Sequence, residues 1–146
     1  LQIENVEHGG LFLVLYVLFV IWATDIGAYF TGRIVGGPKL APTISPSKTW
    51  AGLGGGMTIA GIVGGLSHLF SPYPTTLWGA ILLGIVLAVI AQAGDLFESW
   101  IKRRAGVKDS STLIPGHGGL LDRVDGLMFS IPFFAFFVCV FIMSRA

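Results

Sequence analysis

Charge is what this chain has least of. Asp, Glu, Lys and Arg together make up 12% of its 146 residues, against 53% hydrophobic residues and a mean hydropathy of +0.80. A soluble domain carries about 25% charged residues, so a water-facing globular surface is excluded and a polytopic membrane protein is expected. Cysteine is nearly absent too. A single thiol, Cys139, can form neither an internal disulfide nor a Cys-based metal cluster, and it reads as a small residue in an apolar run. The chain opens at Leu1 without an initiator Met, and its first ten residues hold no basic cluster. No signal peptide is expected there, and residues 1–146 read as a single membrane domain from the C-terminal part of a longer chain. With a net charge of +1, no nucleic-acid partner is expected.

What the chain has instead is long apolar runs. A membrane-crossing helix needs about 20 mostly apolar residues, and four segments qualify: Gly10–Phe30, Ala51–Phe70, Leu77–Leu96 and Gly126–Met143. Pro132 in the fourth is tolerated, as proline is in membrane helices. The expected fold is therefore all-α, with four transmembrane helices in this chain. Two polar connections, Thr31–Trp50 and Glu98–Asp125, then share one membrane face, opposite the short Ser71–Thr76 connection. Eight of the nine Lys and Arg residues lie in that first pair; only Arg145 is on the other side. Lys and Arg are retained on the cytoplasmic side, so both long loops are expected in the cytoplasm, with the helices in the cell (inner) membrane. Gly52, Gly56, Ala60 and Gly64 repeat every four residues and offer a face on which another backbone can approach closely. That face suits a homodimer as well as helices further upstream.

The residues able to do chemistry gather at the cytoplasmic ends. Asp25 and Asp95 lie within otherwise apolar helices, where an ionised carboxylate costs about 2.5–3.5 kcal/mol at mid-bilayer and less near the interface. Asp25 is equally well read as an interfacial carboxylate reaching water. Asp95 belongs to a stripe, Gly84, Ala88, Gln92, Asp95, Ser99 and Lys102, whose spacings of three and four keep it on one helical face.

That stripe runs into the most polar stretch of the chain. Ser99–Asp125 packs five basic residues, three aspartates, one His and four glycines into 27 positions. Asp122 and Asp125 stand three apart where a helix would start, and one cap needs only one of them. With Asp95 they form an oxygen-only set suited to Mg²⁺, which keeps waters and shares a substrate phosphate. Gly116, Gly118 and Gly119 around His117 permit close backbone approach, so a phosphate cradle and a plain turn are both open. In the other loop Lys39, Ser45, Ser47, Lys48 and Thr49 supply cations and hydroxyls between stiffening prolines. Attraction to anionic lipid head groups alone would account for Lys102, Arg103 and Arg104. Together these features point to phosphoryl or nucleotidyl transfer on a lipid at the membrane surface.

The order Ser99-x-x-Lys102-Arg103-x4-Lys108-Asp109-x5-Pro115-x-His117-Gly118-Gly119-x-x-Asp122-Arg123-x-Asp125 closely resembles the signature of the phosphatidate cytidylyltransferases, also called CDP-diacylglycerol synthases. Asp25-x-x-Ala28-Tyr29-x-x-Gly32, Ser45-Pro46-x-Lys48-Thr49 and Gly94-Asp95-x-x-Glu98-Ser99 are similar to that family as well, so the resemblance covers essentially Asp25 to the end. Ala51 stands where the family pattern has Glu. The resemblance implies a membrane transferase of phospholipid biosynthesis that converts CTP and phosphatidic acid to CDP-diacylglycerol and pyrophosphate. It implies Mg²⁺, with room for a second metal or a monovalent ion, and further helices upstream. Carried over, Asp95, Asp122 and Asp125 are the metal carboxylates and, with Lys102, the catalytic set. Ser99, Arg103, Lys108, His117, Gly118, Gly119 and Arg123 become substrate contacts, and Ser45, Lys48 and Thr49 complete the pocket.

Two other readings compete. A CTP-dependent kinase of a polyprenol or phytol-like lipid would need the same nucleotide, metal and membrane site. An ion transporter or channel subunit would use Asp25 and Asp95 as an ion path, but would leave the Ser99–Asp125 signature without a purpose.

Overall fold

A computed structural model describes residues 2–104 and 131–132 of the chain. The described part is mostly helical. Helix α1 (Gln2–Ile34) leads into two short strands, β1 (Lys39–Ala41) and β2 (Ser45–Thr49). Helix α2 (Trp50–Ser67) follows at once, continues as a 3-10 turn (His68–Phe70), and is joined by a short connection to helix α3 (Leu77–Arg104). Among the described residues three helices are long and apolar enough to cross a membrane, over Gly9–Ile34, Trp50–Phe70 and Leu77–Arg104. The fourth expected segment, 126–143, lies outside the described residues apart from 131–132, as do Cys139 and Arg145.

Helix α2 is the middle of the bundle. It packs along α1 on one side and α3 on the other, while α1 and α3 touch over a smaller area. Its glycine ladder explains how. A Cβ placed on Gly56 would lie 2.9 Å from the Thr24 carbonyl oxygen, so that position admits α1. A Cβ on Gly64 would lie 2.5 Å from the Ala80 carbonyl oxygen, and one on Gly84 would lie 2.5 Å from that of Ala60. The two ends of one small-residue face therefore serve two different neighbours. Where the backbones separate, Tyr16, Val17, Val20 and Ile21 of α1 fill the space with Leu87, Ala88 and Ala91 of α3, against Ala60. Buried polar groups are satisfied within this core. Thr24 Oγ1 donates to the Val20 carbonyl at 2.7 Å, and the Tyr16 hydroxyl donates to the Ala80 carbonyl at 3.3 Å. The outward faces carry Leu11, Phe19, Trp22, Ile26, Ile62, Leu82 and Val89, exposed as lipid contact requires.

Two differences from expectation matter for the site. First, both flanking helices outrun their apolar segments. Nothing in Thr31–Ile34 breaks a helix, and α1 stops only before Gly36 (φ +64°) and Gly37 (φ +91°), backbone angles that suit glycine. In α3, the stretch Glu98–Arg104, expected to begin a loop, continues the helix. A Glu98–Lys102 pair spaced i, i+4 supports it, and Lys102, Arg103 and Arg104 face the negative end of the helix dipole.

Second, the all-α expectation fails for the Thr31–Trp50 connection, which contains an antiparallel hairpin. Lys39 pairs with Thr49 and Ala41 with Ser45, with a register shift between them, and Ile44 N–H closes the turn on the Ala41 carbonyl at 3.1 Å. Pro46 fits β2 because each strand of a two-stranded ribbon keeps one unpaired edge. The hairpin sits over the ends of all three helices: Trp50 N–H reaches the Pro38 carbonyl at 3.2 Å, and Arg103 Nε donates to the Ile44 carbonyl at 3.4 Å.

Candidate active site

Beneath the hairpin, at the ends of the three helices, is a cavity of about 510 Å³. Helix α1 supplies Asp25, Ala28, Tyr29, Gly32 and Arg33; the strands supply Lys39, Ser47, Lys48 and Thr49; α2 supplies Gly52 and Leu53; α3 supplies Gln92 and Asp95. The two apolar-helix carboxylates thus face one space although 70 positions separate them in the chain.

Its electrostatic centre is an ion pair between the Lys48 ammonium of β2 and the Asp95 carboxylate of α3. Lys48 Nζ is out of contact with solvent, and no hydrogen-bond acceptor other than this carboxylate accompanies it among the described residues. Removing Asp95 would leave the Lys48 ammonium desolvated and unpaired, which is costly, whereas the Asp95 carboxylate stays partly exposed. Gln92, one turn before Asp95, is buried and presents a carboxamide to the same space. The other cations are held at the rim. Arg33 Nη1 donates to the Tyr29 hydroxyl at 2.8 Å and lies 6.0 Å from the centre of that ring, and both residues are exposed. Lys39 is exposed as well.

The sequence-derived site residues divide into three groups. Lys48, Thr49 and Asp95 come together at the cavity. Thr49 is also the N-cap of α2, its buried Oγ1 accepting a hydrogen bond from Gly52 N–H at 3.0 Å. Ser45, Ser99, Lys102 and Arg103 do not line the cavity. Lys102 Nζ is 2.7 Å from Glu98 Oε1, and Arg103 ties α3 to the hairpin turn. Lys108, His117, Gly118, Gly119, Asp122, Arg123 and Asp125 lie outside the described residues. Tyr29 and Arg33 are cavity residues that sequence reasoning did not select. The signal was present, since Asp25, Tyr29 and Arg33 are spaced by four and share one face of α1.

This arrangement places the exposed cations Arg33 and Lys39 at its rim and the carboxylates of Asp25 and Asp95 in the same space as the solvent-excluded Lys48 ammonium. Carboxylate and carboxamide oxygens are the donors a hard divalent cation takes, so Asp25, Asp95 and Gln92 fit such an ion in kind. Among the described residues no three metal-ligating His, Cys, Asp or Glu side chains converge; Asp95 would need carboxylates from elsewhere in the chain.

Comparison with known proteins gives the chain a family. Residues 1–141 match the model of the cytidylyltransferase family. The chain is 47% identical to the phosphatidate cytidylyltransferase of Brucella suis over 135 residues, covering 92% of this chain and 50% of that protein. It is 46% identical to the Haemophilus influenzae protein of the same name over 144 residues, 94% of this chain and 50% of the relative. The Bacillus subtilis protein of that name is 43% identical over 141 residues, 97% of this chain and 52% of the relative. The chain therefore spans about half the length of the curated relatives it matches. A polar cavity with exposed cations at its rim lies at the ends of three membrane-length helices. With a family match over residues 1–141 and relatives 43–47% identical over most of the chain, this chain belongs to the cytidylyltransferase family.

Proposed function

We propose that this chain carries the catalytic part of a phosphatidate cytidylyltransferase, which transfers CMP from CTP to phosphatidic acid. The observation that carries the proposal is the meeting of Asp25, Lys48 and Asp95 under a cationic rim in a cavity at the helix ends, within a chain whose relatives bear that name. A phosphatidate phosphate oxygen attacks the α-phosphorus of CTP in line. The new phosphorus–oxygen bond forms as the α–β anhydride bond breaks, and pyrophosphate leaves with the bonding pair. The nucleophile is already anionic, so no general base is required. The barrier lies in bringing anions together and in the charge on the leaving group, and fixed cations in a poorly solvated site lower both.

The chain's own residues divide this work. Arg33 and Lys39 at the rim meet incoming phosphates, and Lys48 holds positive charge at depth. Lys102, Arg103, Lys108, His117 and Arg123 are assigned to phosphate contact, with Ser45, Thr49, Ser99, Gly118 and Gly119 completing the pocket. Mg²⁺, held by Asp95 with Asp122 and Asp125, would supply charge neutralisation on the phosphate oxygens. A second metal or monovalent ion has oxygen donors available in the same cavity. In this reading residues 126–143 form a fourth transmembrane helix. The hairpin and the basic end of α3 face the cytoplasm at the inner membrane, and two copies pair as a homodimer.

The test is incorporation of α-labelled CTP into solvent-extractable lipid by the full chain in detergent–phosphatidate micelles. Label that requires both phosphatidate and Mg²⁺ is expected. A folded, CTP-binding protein that incorporates none would refute the reading.

A further inference from the structure

The cavity holds more carboxylate than its ion pair uses. Lys48 is paired with Asp95, and Glu98, one turn further along α3, is taken by Lys102. Asp25 faces the same space from α1 with its side chain exposed at the cavity mouth, and among the described residues it has neither a hydrogen bond nor an ion pair within 4 Å. The remaining cations of the cavity are placed differently. Arg33 is bonded to Tyr29 and, like Lys39, is exposed to solvent. Lys48 Nζ is the cation sealed from water. A desolvated ammonium left without a carboxylate partner is costly, and Asp95 is the very carboxylate that the proposed metal would take.

Resting on that reading, we propose that Lys48 is a resident counter-cation that is handed from Asp95 to Asp25 when a divalent cation binds. Before the metal arrives, Lys48 neutralises Asp95 and keeps a bare carboxylate out of the low-dielectric helix end. When the metal arrives it displaces the ammonium. Lys48 stays in the cavity and turns on its flexible stem to Asp25, which among the described residues has no partner in the metal-free arrangement. Asp25 is then a positioning residue: it acts through Lys48, not on the reacting atoms. Because Asp25 is exposed when it is unpaired, the exchange leaves the solvent-excluded Lys48 ammonium with a carboxylate partner in both states.

The handover predicts an unusual pattern of metal affinities. The probe is Mn²⁺ binding to the full chain in detergent, followed by electron paramagnetic resonance without nucleotide or lipid, so that no turnover is needed. Lys48→Met removes the competitor and is expected to tighten Mn²⁺ binding about tenfold, equivalent to ~1.4 kcal/mol. Lys48→Gln should do the same if the Met variant folds poorly, and Lys48→Arg should stay near wild type. Asp25→Asn takes away the ammonium's second partner and is expected to weaken Mn²⁺ binding. That weakening should shrink at least about fivefold in a Lys48→Met background, because neighbouring sites that act through each other are not additive.

Each contrary outcome is informative. Equal weakening by Asp25→Asn in both backgrounds would show Asp25 acting on the metal directly and would overturn the handover. So would unchanged or weaker Mn²⁺ binding in Lys48→Met. Failure of the wild-type chain to bind Mn²⁺ at all would remove the metal reading itself, and the handover with it.

Discussion

Replacing Gly64 by Ala tests how α2 and α3 interlock. The added Cβ would stand 2.5 Å from the Ala80 carbonyl oxygen, about 0.9 Å inside ordinary contact. The obstacle is backbone, so no rotamer change relieves it and the two helices must separate. Overpacking of this kind costs ~1–3 kcal/mol, against a helix-propensity gain from Gly to Ala of at most ~1 kcal/mol. Gly54 of the same helix is the control, because a Cβ there meets nothing within 4 Å. Gly54→Ala should therefore be neutral or stabilising. The assay is reversible SDS unfolding in mixed micelles, followed by the fluorescence of the four tryptophans. Gly64→Ala is expected to unfold at lower SDS than wild type and Gly54→Ala at equal or higher SDS. If Gly64→Ala unfolds no earlier than Gly54→Ala, α2 and α3 do not meet along this face and the packing described is wrong.

Three further outcomes are expected. Thr49→Ala removes the α2 cap and should lower stability by ~1 kcal/mol in the same assay, with Thr49→Ser restoring most of it; equal stability of both variants would remove the capping role. Asp122→Asn should abolish CMP transfer while membrane insertion and the unfolding midpoint remain those of wild type, whereas a wild-type rate in the inserted variant would refute its place in the metal set. Chelation by EDTA should stop turnover and added Mg²⁺ should restore it; a rate indifferent to both would exclude a dissociable divalent cation from the reaction.

The long apolar runs made the three described helices legible, because bilayer thickness imposes a length that composition alone reveals. The Gly84–Lys102 stripe was legible for a similar reason: helical periodicity places residues on one face whatever they pack against. What the sequence hid was pairing between distant parts. Lys48 and Asp95 are 47 positions apart, and no local pattern says that an ammonium in a proline-rich connection will reach a carboxylate in a later helix. The hairpin was hidden because Lys39–Ala41 and Ser45–Thr49 are short and one contains Pro46, so strand periodicity is too brief to read. Thr49 illustrates a different limit. Its place in the pocket came from resemblance, but its capping bond depends on where α2 begins, one residue earlier than the apolar run indicated.

The most direct test of the account is to compare α-labelled with γ-labelled CTP in parallel reactions on phosphatidate. Cytidylyl transfer predicts that the α label enters the lipid and the γ label leaves as pyrophosphate. A γ label recovered in the lipid, with CDP released, would contradict that chemistry and identify a CTP-dependent lipid kinase instead.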